Sequence, residues 1–218
     1  MTEAHPTSRR LHAARFYAIL DASYLAPERF APVCRAVLAG GADIVQVRAK
    51  KADKTTYRAL LESVLPQFES NDVPLIVNDH LDIALEYPRC GLHIGQDDAS
   101  PAEARAMLGP DRVIGLSTHS VQQAERAVEQ MELLSYFCIG PVFATQTKPD
   151  YVPVGLELAR RVNILNANRL PLFAIGGITR KNVAQVRAVG TERIVVVSDV
   201  LQAADPEAVV RELRSAVA

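Results

Sequence analysis

Gln46, Arg48 and Lys50 occupy alternate positions of one short segment, so in an extended chain their side chains leave from the same face. A guanidinium beside an ammonium suits an anion: Arg offers a bidentate fork and Lys a point charge, as a phosphate clamp requires. The competing reading is an internal ion pair between Arg48 and Asp79 or a neighbour, because a buried guanidinium is costly without an anionic partner. Asp79, preceded by Asn78, and Asp98 add two carboxylates. Hard oxygen donors beside a polyphosphate fit Mg2+, which takes few protein ligands and completes its shell with substrate oxygen and water. Helix capping is the competing role for Asp98, which stands just before Ser100-Pro101. Gly176-Gly177 and Val197-Ser198 suggest a second anion site built from backbone N–H groups and a helix start, with simple turn formation as the plainer use of the glycines. Ser117 and His119 share a face, but no carboxylate partner stands near them, so no nucleophile–base pair is evident and a Ser–His hydrolase is not indicated. His93 reads as a barrel-core or rim histidine rather than a metal ligand, since no second His lies at metal spacing.

The elements that would carry these groups alternate. Short apolar runs at Phe16–Leu20, Ile44–Arg48, Leu75–Asp79, Gly91–Gly95, Val113–Ser117, Leu134–Gly140, Leu172–Gly177 and Ile194–Ser198 have the length and composition of buried strands. Between them lie helical stretches at Pro27–Leu38, Thr56–Phe68, Ser100–Leu108, Ser120–Met131, Leu156–Leu165, Lys181–Val189 and Pro206–Val217, with only a short helix over Leu81–Tyr87. Ser100 and Glu103 have capping-box spacing around Pro101 at the first helical position. Eight strand–helix units are the arithmetic of an α/β, single-domain (β/α)8 TIM barrel covering residues 16–218. An open doubly wound sheet would call for a Gly-rich first turn, and Phe16–Tyr24 has no glycine. Nearly every run ends in polar or Gly residues, the sixth leading into Thr145-Gln146-Thr147-Lys148, and barrel enzymes keep their chemistry on the loops after the strands.

The totals narrow the class of partner. The chain has 218 residues, with 24 Lys plus Arg against 25 Asp plus Glu, and no basic block marks a nucleic-acid or membrane surface. Small-molecule substrates are therefore expected, and a homo-oligomer is left open. Cys34, Cys90 and Cys138 share no metal-ligand spacing and read as reduced thiols packed as small hydrophobes. No apolar run reaches the ~20 residues of a membrane span, and residues 1–15 lack the hydrophobic centre of a secretory signal. Those first residues read as a disordered leader, and the protein as cytoplasmic.

Gln46-x-Arg48-x-Lys50, Asn78-Asp79, His93-x-Gly95-Gln96-x-Asp98, Gly115-x-Ser117-x-His119, Thr145-x-Thr147-Lys148, Ala174-Ile175-Gly176-Gly177-Ile178 and Val196-Val197-Ser198 occur in the order and register of thiamine phosphate synthases, which the chain resembles from about Phe16 to its end. The resemblance implies coupling of an aminopyrimidine methyl diphosphate to a thiazole phosphate, carboxylated or not, with release of pyrophosphate. By the same resemblance Gln46, Arg48, Lys50 and Asn78 contact the pyrimidine diphosphate, and Asp79 and Asp98 hold Mg2+. Ser117 touches the pyrimidine, Thr145 and Thr147 the thiazole, and Lys148 the diphosphate, while Gly177, Val197 and Ser198 hold the thiazole phosphate. Arg48, Lys50, Ser117 and Lys148 are then the expected catalytic groups. The chain departs from the family pattern in the first strand, Tyr17-Ala-Ile-Leu-Asp21 in place of an Ile-Thr-Asp ending, and at His80, Gln146 and Tyr87–Cys90, and none of these departures removes a charged group the chemistry uses. The alternative is a thiazole tautomerase, an isomerase sharing the fold, the monophosphate site and a Ser-x-His motif.

Overall fold

The computed structural model describes residues 6–145 and 152–218. Eight parallel strands close into one barrel in sequence order: β1 Phe16–Asp21, β2 Ile44–Arg48, β3 Leu75–Asn78, β4 Gly91–Ile94, β5 Ile114–Thr118, β6 Tyr136–Ile139, β7 Leu172–Ile175 and β8 Ile194–Val196. The last strand pairs back with the first, so no sheet edge is left open. Outside the barrel run α2 Phe30–Ala39, α3 Lys54–Val64, α4 Leu81–Glu86, α5 Pro101–Leu108, α6 Val121–Glu129, α7 Gly155–Asn166, α8 Val183–Ala188, α9 Ser198–Leu201 and α10 Pro206–Ala216, preceded in the chain by α1 Pro6–Ala13.

The strands feed two separate cores because their side chains alternate. Phe16, Ala18 and Leu20 of β1, with Val45 and Val47 of β2, pack outward into the layer between barrel and helices. Tyr17 and Ile19 of β1 and Ile44 of β2 turn inward with Ile76, Tyr136, Cys138, Phe173 and Val195 to fill the barrel. Tyr17, Tyr136 and Phe173 meet there edge to face, with ring centroids 5.7–5.8 Å apart. The interior is a packed plug below a polar upper end.

Start and stop chemistry follows the sequence reading closely. Ser100 caps α5 by accepting from the Glu103 N–H, Ser120 caps α6 through the Gln123 N–H, and Asp205 caps α10 through the Ala208 N–H. The helix expected from Pro27 opens as a 3-10 turn over Pro27–Arg29 before α2, and the one ending at Phe68 finishes as a 3-10 turn over Leu65–Phe68. The last run, expected as a strand to Ser198, stops as β8 at Val196, and the chain coils directly into α9 at Ser198. All three cysteines are free and buried, as expected.

The reading of a disordered leader needs correction over its described part. After Pro6 the chain forms α1, and Leu11 and Ala14 are buried in the same cluster as the inward face of β1. So short a helix has little stability of its own and persists by the apolar surface it buries. Its burial against the barrel's interior plug is a tertiary effect with no signature in the local sequence. Residues 1–5 lie outside the described residues. Leu11→Ala should therefore lower unfolding free energy by about 2–5 kcal/mol, measured by urea denaturation.

Candidate active site

The polar inward positions gather at the end of the barrel where the strands finish. Asp21 stands in register with Arg48 across the β1–β2 pair, and Asn78 with His93 across β3–β4. Arg48 Nη1 lies 2.5 Å from Asp21 Oδ2, with Asp21 fully buried and Arg48 nearly so. Of the two readings of Arg48, the ion pair is present, and its partner is Asp21 rather than Asp79. The guanidinium has further N–H groups, so pairing does not exhaust it. Arg48 still lines the cavity that Lys50, Asn78, Asp79, His93, Asp98 and Ser117 share. Lys50 extends from the rim, largely exposed, with its ammonium 3.7 Å from Asp79 Oδ2.

The end of β3 is clamped in place. The Tyr57 hydroxyl on α3 donates to the Val47 carbonyl and accepts from the Asn78 N–H at 2.8 Å. Asp79 then takes a left-handed φ of 65°, with its N–H donating to the His93 carbonyl. Such a backbone is uncommon for a residue with a Cβ, though Asp tolerates it, and it clusters at sites where geometry matters. Asp98 accepts from the Gly95 N–H at 2.6 Å, which folds its loop back toward β4. Helix capping of α5 falls to Ser100, so Asp98 is not used as the cap. Burial and then the nearby Asp98 carboxylate push the Asp79 carboxyl above its ordinary value, while Lys50 and Arg48 pull it back. Two carboxylates lining one cavity, one exposed and one half-buried, are a pair that a hard dication would relieve.

A second cavity adjoins the first, lined by Gln46, Asn78, His93, Ser117, Thr145, Ile175 and Val197. Below it a chain of buried polar groups crosses the barrel. Gln46 Nε2 lies 2.6 Å from the Tyr17 hydroxyl, which is 2.9 Å from the Tyr136 hydroxyl. That hydroxyl is 3.0 Å from His93 Nδ1, and His93 Nε2 is 2.9 Å from Ser117 Oγ. A Ser–His pair therefore exists, correcting the reading that none was evident. It joins β4 to β5 across 24 residues rather than Ser117 to His119, and a tyrosine stands where a triad would place a carboxylate. His119 instead bonds through Nδ1 to the Gly140 carbonyl at 2.6 Å. Its place is the wall between β5 and β6.

Across the mouth, Gly176 and Gly177 have φ of 102° and 64°, the left-handed region that favours glycine. A Cβ at Gly176 would come within 2.3 Å of Pro141, and one at Gly177 within 2.5 Å of the Ala144 carbonyl. The glycines thus answer to the loop after β6 packing against the loop after β7, beyond any ligand. Arg180 ties that loop to the start of α9 through the Asp199 carboxylate, its backbone N–H donating at 2.9 Å. Val197 and Ser198 are brought to the same rim, Ser198 as the first residue of α9.

The structure so brings together Gln46, Arg48, Lys50, Asn78, Asp79, Asp98 and Ser117, with Thr145 and Val197 on the adjoining wall. Thr147 and Lys148 lie outside the described residues. Asp21, Tyr17, Tyr136 and His93's role escaped sequence reasoning; the inward parity of Tyr17 and Asp21 on β1 was the one available signal. A cavity of about 660 Å³ opens at the opposite end of the barrel beside Arg10, Asp72 and Arg112, away from these groups.

A family model described as thiamine monophosphate synthase matches residues 16–200. The thiamine-phosphate synthase of Thermobifida fusca (strain YX) is 42% identical over 206 residues, covering 94% of this chain and 93% of that protein. That of Roseiflexus sp. (strain RS-1) is 38% identical over 207 residues, 93% of this chain and 84% of the other. Among solved structures, thiamine phosphate pyrophosphorylase from Pyrococcus furiosus superposes with a TM-score of 0.75 at 30% identity, covering 96% of this chain and 97% of that one. A 3-hexulose-6-phosphate synthase at 17% identity and TM-score 0.63 shares the fold alone.

Removing Asp21 should strand a buried guanidinium. Asp21→Ala is expected to cost about 3–5 kcal/mol of stability by urea denaturation, and a cost under about 1 kcal/mol would show that Arg48 does not depend on it.

Proposed function

The chain belongs to the thiamine monophosphate synthase family and is a transferase of that kind, and from this premise we propose how its residues divide the work. The observation that carries the proposal is the clustering of Arg48, Lys50, Asp79 and Asp98 at one lip of the mouth, beside the cavity bounded by Gln46 and Ser117. The aminopyrimidine lies in that cavity, and its diphosphate reaches up to Arg48, Lys50 and Asn78. Asp79 and Asp98 hold Mg2+, which supplies neutralisation of the diphosphate oxygens when bound. The donor set fits that ion: two carboxylates lining one cavity, with solvent access on the Asp98 side.

Charge builds on the diphosphate as its bond to the pyrimidine methylene breaks. Arg48, locked by Asp21, presents fixed N–H groups there and needs no reorganisation at that moment, and Lys50 adds an exposed cation from the rim. The methylene is left as a cation delocalised into the aminopyrimidine, and the thiazole nitrogen captures it if held within contact distance. Thr145 and Thr147 orient the thiazole, Gly177, Val197 and Ser198 hold its phosphate, and Lys148 completes the diphosphate contacts. No protein nucleophile is required, and a Ser117 whose histidine partner is joined in turn to a buried tyrosine suits a binding role. Thiazole tautomerase chemistry is not favoured: the relatives reported above are thiamine-phosphate synthases, and the acidic pair is intact. We further infer a cytoplasmic enzyme from its three free thiols, and no described helix is long and apolar enough to cross a membrane.

With both substrates and Mg2+, the purified protein should form thiamine phosphate and release pyrophosphate. Asp98→Ala should lower kcat/KM by about 10²-fold or more while changing stability by under about 1 kcal/mol, because Asp98 is exposed. Unchanged turnover in that variant would remove Asp98 from the metal site, and a wild type that only isomerised the thiazole would install the tautomerase reading instead.

A further inference from the structure

Gln46, Tyr17, Tyr136, His93 and Ser117 form a series of five groups joined one to the next by hydrogen bonds. Tyr17 and Tyr136 are fully buried, Gln46 is 1% exposed, His93 6% and Ser117 9%. Each tyrosine hydroxyl owns one hydrogen and each neutral imidazole one N–H. The order that satisfies every join has all the hydrogens pointing one way along the series or all the other. A reversal at any join would set two donors or two acceptors against each other in a dry interior, at the cost of an unmade buried hydrogen bond. Burial also pushes both phenols well above their ordinary pKa, so both keep their hydrogens.

Gln46 breaks the tie. Its amide nitrogen, a donor only, faces the Tyr17 oxygen. Tyr17 must then spend its hydrogen on Tyr136, and Tyr136 its own on His93 Nδ1. His93 is left with its proton on Nε2, which donates to Ser117 Oγ, and the Ser117 hydrogen is freed for something outside the series. We propose that this one-way relay makes Tyr17, Tyr136 and His93 positioning residues: it holds His93 as the neutral Nε2–H tautomer and presents Ser117 to the ligand as a hydrogen donor and the Gln46 carbonyl as an acceptor. An amino group next to a ring nitrogen, the edge of an aminopyrimidine, offers the complementary donor and acceptor. The inference rests on the placing of the pyrimidine between Gln46 and Ser117.

One further feature of the barrel serves this relay. Gly115 sits in register between His93 on β4 and Tyr136 on β6. A Cβ there would meet the Tyr136 ring at 2.1 Å and its hydroxyl oxygen at 2.5 Å. The missing side chain is the space through which Tyr136 reaches across β5 to stack on His93, with ring centroids 5.6 Å apart and planes 24° from parallel. Its neighbour in the same strand, Ser117, is the relay's far end.

Two measurements test the relay. In 15N-labelled ligand-free protein at neutral pH, the His93 ring, assigned through its backbone, should show a pyridine-like Nδ1 and a protonated, pyrrole-like Nε2. A protonated Nδ1, alone or with Nε2, overturns the proposal. In steady-state kinetics Tyr136→Phe should raise KM for the pyrimidine diphosphate about tenfold, as loss of one neutral hydrogen bond does, and leave KM for the thiazole phosphate within about twofold. Tyr17 joins the series through Gln46 and Tyr136 together, so the double variant Tyr17→Phe/Tyr136→Phe should lose less than the sum of the two single variants. Additive losses would mark both tyrosines as mere packing and overturn the positioning role. If the predicted tautomer is found but neither KM moves, the hydrogen order stands, and the placing of the pyrimidine falls together with the role built on it.

Discussion

The buried pair of Arg48 and Asp21 is the contact on which the upper half of the barrel depends. A guanidinium inside a parallel barrel loses its hydration, and only a partner equally buried and held in register can offset that loss. Register supplies the partner: β1 and β2 set Asp21 opposite Arg48, with both side chains directed inward. The pair is then fixed at the mouth, where Arg48 lines the cavity. Lys50, two residues on and past the strand end, has no such buried partner and is largely exposed at the rim, 3.7 Å from Asp79.

The lower half solves a different problem. A barrel of eight short strands must be filled, and Tyr17, Tyr136 and Phe173 fill it with large edge-to-face rings, closed below by Leu11 and Ala14 of α1. Two of those rings carry hydroxyls that need partners in a place without water. They find them in each other, in Gln46 and in His93, so the requirement that buried polar groups be satisfied ties the floor of the barrel to the floor of the pocket. Packing and binding geometry are coupled here through side chains that never reach the mouth. The glycine at position 115 is where that coupling shows in the backbone.

The acidic lip completes the division. Asp79 is held by its left-handed turn and the Tyr57 clamp behind β3, Asp98 by the tight loop after β4, and the two converge although separate connections carry them. Across the mouth the loops after β6, β7 and β8 are packed on one another through Gly176, Gly177 and the Arg180–Asp199 pair. A charged lip and a glycine-bearing lip thus face each other over a pocket with polar walls.

Much of this was legible in one dimension. Strand length, apolar parity, capping residues and the polar ends of the runs are local properties, and local rules dictated the eight-unit barrel and put Gln46, Arg48, Asp79, Asp98 and Ser117 at its mouth. What stayed hidden depends on partners distant in the chain. Asp21 meets Arg48 across 27 residues, His93 meets Ser117 across 24, and Tyr136 meets His93 across 43. The sequence at each of these positions specifies only a hydrogen-bonding capacity, and which capacity is met by which is settled when closure of the barrel removes water. The helix before Phe16 escaped for the same reason: its own residues barely favour a helix, and its stability comes from surface buried against strands that the chain makes later.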